Sequence, residues 1–147
     1  MDPKHYLITP QVRAFAANVA DDFRRTVVQA ACAEFQVEDT ELLAAIEARD
    51  AGALEAVIAG WANSSRRLPK QDQAVFKRAL KAFRKRLKLM RLDDESSIAG
   101  GPMSGGRSSS IIAIHPPDSY PQEVWDELVH IGRLVDAGDG LYELPAD

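Results

Sequence analysis

The sequence predicts a mainly helical α+β protein, with a bundle-like helical domain over residues 1–92 and a small, winged-helix-like βαββ unit over 111–147. Three observations predict it. Apolar residues recur at three- and four-residue spacing through most of the first 92 positions. Glycine and serine then crowd into 98–110. Beyond them, short apolar runs at 111–114 and 134–144 flank one more helical stretch.

The most strongly patterned segment is 70–92. Phe76, Leu80, Phe83, Leu87 and Met90 fall on one helical face and also fit a heptad seam, so they serve either as core or as an interaction seam. Ala79 and Ala82 favour helix, and Pro69 sits just before the run, where a proline does no harm. Lys77, Arg78, Lys81, Arg84, Lys85, Lys88 and Arg91 fall mostly off the apolar face. The helix reads as an apolar stripe flanked by cation.

Upstream, Val12, Phe15, Val19, Phe23, Val27, Ala30 or Ala31, and Phe35 mark the buried face of one long helix over about 11–35, with Asp21, Asp22, Arg24 and Arg25 on its wet side. Asp39 or Thr40 can cap a helix over 40–49. Asp50-Ala51-Gly52 ends it, and a helix over 53–61 follows, completing a helical hairpin. Residues 63–69 are a polar connection. Residues 93–97 are acidic and polar, and together with 98–110 they predict a flexible loop between the two units.

In the C-terminal unit, Ile111 to Ile114 predicts a strand. Ser119 and Gln122 have the spacing of a capping box for a helix over about 120–131, which buries Val124, Trp125, Leu128 and Ile131. Gly132 suits a left-handed cap, and Gly138-Asp139-Gly140 suits the tight turn between two short strands.

The net charge of −4 conceals a pattern. Residues 1–60 carry 5 basic and 10 acidic side chains, residues 61–92 carry 11 and 1, and residues 93–147 carry 2 and 11. An acidic, basic, acidic order suggests that the ends sit against the middle, within one chain or across a dimer. Cys32 is the only cysteine, which excludes an intrachain disulfide and a cysteine-based zinc site and fits a reducing compartment. The sequence shows no leader and no run of membrane-spanning length, so a cytoplasmic protein without membrane contact is expected.

Gly101, Gly106, Arg107 and Ser108 stand one substitution from a phosphate-loop pattern. The surrounding order is wrong for one: a helix precedes the loop, a strand follows it, and arginine replaces the lysine. His115 and His130 lie 15 residues apart, with none of the spacings that hold a metal. Cys32 reads as a small core residue and Trp125 as the anchor of a small core. No catalytic residues, no metal ligands and no cofactor are read from the sequence.

The stretch 125–144 resembles the last helix and the wing of a winged-helix domain, on Leu128, Gly132, Leu134, Gly138, Gly140, Tyr142 and Leu144. It departs from that family in two ways. Only a proline turn fits between Ile114 and Ser119, where the family has a helix, and the would-be reading helix carries Glu123, Asp126 and Glu127, which phosphate repels. The resemblance therefore implies the protein-binding kind.

Two functions are expected from this reading. One is a non-enzymatic interaction or regulatory module, acting on an unidentified protein partner or by self-association, as in a homodimer. The alternative is a nucleic-acid-binding (for example DNA-binding) protein that uses Lys77, Arg78, Lys81, Arg84, Lys85 and Lys88.

Overall fold

The computed structural model describes residues 3–98 and 111–146. After a 3-10 turn at Pro3–His5, the chain runs α1 (Thr9–Ala17), α2 (Asp22–Glu34), α3 (Thr40–Ala48), α4 (Ala51–Ala62), α5 (Lys70–Ile98), β1 (Ala113–Ile114), α6 (Gln122–His130), β2 (Val135–Gly138) and β3 (Leu141–Glu143). It is mainly α with a small β part. Aspartates begin three of the helices by accepting a first-turn amide: Asp21 from Arg24, Asp39 from Leu42 and Asp50 from Ala53. Helix α1 has no local side-chain cap. Asp72, from the first turn of α5, supplies one instead, accepting from the Ile8 amide at 3.0 and 3.2 Å and from the Thr9 amide at 2.9 Å.

Where the periodicity predicts one helix over 11–35, the chain forms two. Asn18 leaves the helical region (φ −152°, ψ 78°), and Asp21 caps a new start. The break resets the phase. Val12 and Phe15 are buried on α1, whereas α2 buries Val28, Ala31 and Cys32. Phe23, expected in the core, is 76% exposed; Ala30 is exposed, and Val19, Val27 and Phe35 are half-buried. Helix α5 also runs past 92 to Ile98, because neither the acids at 93–95 nor the serines after them interrupt a helix. From residue 99 the glycine-rich stretch lies outside the described residues, as do Gly101, Gly106, Arg107 and Ser108. Ser119 does not cap α6. Pro121 precedes that helix without a side-chain cap, and Gln122 instead donates to the Tyr142 hydroxyl at 2.6 Å and to Asp126 at 3.0 Å.

The three strands are antiparallel in the order β1-β3-β2, with Ile114 opposite Tyr142 and Val135 opposite Glu143. Gly132 (φ +75°) ends α6, and the Arg133 amide reaches back to the Leu128 carbonyl at 2.8 Å. Gly138, Asp139 and Gly140 all take positive φ in the hairpin, as the spacing predicts. Residues 115–121 hold no helix.

One apolar cluster runs from Leu7 to Tyr142 and includes residues of every helix. Helix α5 contributes Val75, Phe76, Ala79, Leu80, Phe83 and Leu87, and the Phe83 ring lies 6.1 Å from that of Trp125. Arg13 on α1 grips the buried Glu127 on α6 through two hydrogen bonds of 3.2 Å. Arg86 and Arg91 donate to the carbonyls of His115 (2.9 Å) and Ile111 (2.8 Å), bracketing β1 against α5.

Asp72 is wholly buried, and that burial pushes its carboxyl up to about 6 against the opposing pull of the Thr9 and Ile8 amides. A carboxyl raised above its unfolded value of about 3.9 contributes stability that is complete below that value and is lost as pH rises through about 6. Asp72→Ala leaves two buried amides without an acceptor and is expected to cost about 2–4 kcal/mol in denaturant unfolding. The cost should be about 1 kcal/mol larger at pH 5 than at pH 7.5. A cost that grows with pH would contradict the burial of this carboxylate.

Candidate functional site

Because α5 commits one face to the core, its charges must leave on the other. Lys77, Arg78, Lys81, Arg84, Lys85 and Lys88 are all exposed. Along the axis, Lys70 to Lys88 covers about 27 Å at the rise of an α-helix. Phe76, Leu80, Phe83 and Leu87 of the seam are buried, as is Trp125, so this part of the seam is core. Met90 departs from it at 36% exposure.

The charge order predicts that the basic helix meets the acidic ends, within one chain or across a dimer. Among the described residues the ion pairs lie elsewhere: Arg13 to Glu127, Arg24 to Asp21, Arg25 to Glu47, Arg49 to Asp22, and Arg66 to Asp39 and Glu41. None of them involves Lys77, Lys81, Arg84, Lys85 or Lys88. Arg78 is tied to the Lys4 backbone carbonyl. A cationic face in no ion pair with a carboxylate among the described residues retains its attraction for an outside anion, although Glu95 borders a hollow with Arg84 and Lys88 at its far end.

Beside this face lies a groove of about 620 Å³ between the 63–67 turn and α5. Arg66, Arg67, Lys77, Arg84 and Arg133 line it with Ser64 and Ser65, and no acid does among the described residues. The turn is built closely. Asn63 Oδ1 accepts from the Ser65 amide at 2.9 Å, Ser64 is left-handed (φ +65°), and the Arg66 amide returns to the Gly60 carbonyl at 3.0 Å. Arg66 forks onto Asp39 and holds that carboxyl below the ordinary carboxylate range despite partial burial. Trp61 and Phe76 form part of the wall, and the buried Trp61 Nε1–H has no hydrogen-bond partner among the described residues. A neighbouring hollow of about 430 Å³ differs, because Glu38 and Asp39 there face Arg66, Arg67 and Lys70.

The other sequence candidates fall to structural roles. Cys32 is buried and its thiol is pushed up to about 11, first by burial, so it is a neutral core residue at pH 7. His115 donates from Nδ1 to the Gly140 carbonyl at 3.0 Å and props the hairpin, while His130 is exposed on α6. Among the described residues no three His, Cys, Asp or Glu side chains gather as metal ligands, and no helix is long and apolar enough to cross a membrane. Sequence reasoning found the cations of α5 but missed Arg66, Arg67 and Arg133. Their signal was faint: an arginine pair in a polar connection and one of two cations in the acidic segment 93–147.

Comparison with family models, with curated proteins and with solved structures gives no match to this chain.

Gly60 keeps the turn seated. A Cβ there would stand 2.8 Å from Arg66 Cβ, whereas one at Gly52 on the same helix would meet only Asp50 Oδ1 at 3.5 Å. Gly60→Ala is expected to lower stability by about 1–3 kcal/mol, and Gly52→Ala to raise it by about 0.5–1 kcal/mol. Denaturant melts of the two variants check this. Equal effects would mean that the turn is not packed against α4 as described.

Proposed function

We propose that the protein binds nucleic acid through the phosphate backbone, using the outer face of α5. The observation that carries this reading is the exposure of Lys77, Lys81, Arg84, Lys85 and Lys88, none of which is in the ion pairs formed among the described residues. Phosphates are the natural counter-charge for such a row, since a duplex presents one charge per ~1.7 Å of axis. The aromatic side chains of α5, Phe76 and Phe83, are buried, which leaves no stacking platform for bases on this helix. Contacts made to phosphates alone position a protein without reading sequence.

Fluorescence anisotropy with a mixed-sequence duplex over a salt series tests the proposal. With four to six phosphates neutralised, log K should fall against log salt with a slope of about −4 to −5. Arg84→Glu/Lys88→Glu should weaken binding at every sequence and flatten the slope by about 2. A flat salt response would remove this function.

A second reading, contact with a protein partner or a second copy, is favoured by a separate observation. Leu89 (56% exposed) and Met90 border a hollow of about 340 Å³ with Ile111 at the far end of α5. Sedimentation over a concentration series tests the self-association arm. Association that is lost in Leu89→Glu supports it, and a monomer at every concentration contradicts it.

A further inference from the structure

We infer that the groove between the 63–67 turn and α5 holds a phosphate monoester. The inference rests on the nucleic-acid reading only for the source of that group, which is either the 5′ end of a strand or a free nucleotide. Its first support is shape. Lys81, Lys85 and Lys88 diverge from a convex helix and suit a run of phosphodiesters. Lys77 and Arg84, at the edge of the same face, also line the groove, where they converge with cations of two other elements: Arg67 from the turn and Arg133 from the connection after α6. Convergent charge suits one compact, highly charged anion. A diester carries a single charge and two substituents that must both leave the concavity. A monoester carries up to two charges and only one substituent.

The second support is the way charge is left over. Arg66 is held by Asp39 and Glu41, so it shapes the turn and is neutralised within the protein. Arg67, Lys77, Arg84 and Arg133 are exposed and form no ion pair among the described residues. The third support is the wall. Ser64 and Ser65 add hydroxyls on a turn whose left-handed Ser64 is a conformation non-glycine residues seldom take, and Trp61, Phe76 and Leu80 give an apolar backing that strengthens polar contacts beside it. At about 620 Å³ the groove lies within the usual range of small-ligand sites.

The test compares a 5′-phosphorylated duplex oligonucleotide with its 5′-hydroxyl twin, and separately titrates AMP into the full chain. The phosphorylated probe is expected to bind about tenfold more tightly, the difference one charge-assisted contact supplies. Arg67→Ala/Arg133→Ala should bring the two probes to one affinity and abolish AMP binding. A preference between the oligonucleotides identifies a strand end as the source. AMP binding without such a preference identifies a free nucleotide. Equal affinity for the two probes with no AMP binding overturns the inference, as does a preference that survives the double variant. The backbone-binding reading is judged apart from this, by whether the hydroxyl-ended probe binds in a salt-dependent way.

Discussion

A buried carboxylate joins the start of the first helix to the start of the longest one, 64 residues away in sequence. Helix α1 cannot satisfy its first amides locally, so Asp72 fixes the position of α1 and that of α5 at once. Other contacts follow from that register. Gln71 reaches the Tyr6 carbonyl at 2.9 Å, Phe83 meets Trp125, and Arg86 and Arg91 hold the strand that begins the small sheet. Arg13 and Glu127 then tie α1 to α6. Once α5 is held along this line, its apolar stripe has one direction to face, and its lysines face the opposite one.

How charge is divided follows the chemistry of the side chains. The ion pairs among the described residues use arginines: Arg13, Arg24, Arg25, Arg49 and Arg66. A planar guanidinium can meet a carboxylate or a carbonyl with two donors and loses little freedom in doing so. Lys77, Lys81, Lys85 and Lys88 are compact, strongly hydrated charges on flexible stems. They are poor at fixing a fold and suited to a diffuse polyanion. The segregation of charge along the sequence thus has two outcomes: local closure around the N-terminal helices, and an open cationic face on α5.

What was legible in the sequence was what local periodicity and turn chemistry encode. The apolar face of α5, the Gly132 cap and the 138–140 turn were readable because each depends on neighbours three or four residues away. The break at 18–21 was not, since Phe15, Val19 and Phe23 keep helical spacing across it and only the Asn18 and Asp21 side chains mark it. The extent of α5 is not legible, because the acids at 93–95 suggest a linker by composition yet carry no backbone signal that ends a helix. Asp72 carries no local signature in the sequence. Its role depends on an amide pair 64 residues upstream, which no local pattern reveals. The groove was hidden for the same reason, as Arg67, Lys77, Arg84 and Arg133 meet only through the packing of α4, α5 and α6.

The central claim is that the outer face of α5 stands open to a polyanion in the folded protein, and lysine acetylation read by mass spectrometry tests it most directly. Lys77, Lys81, Lys85 and Lys88 should react readily in the protein alone and become protected when duplex is added. Slow reaction of these four lysines before any ligand is added would mean that another part of the chain covers the face, and would contradict the account.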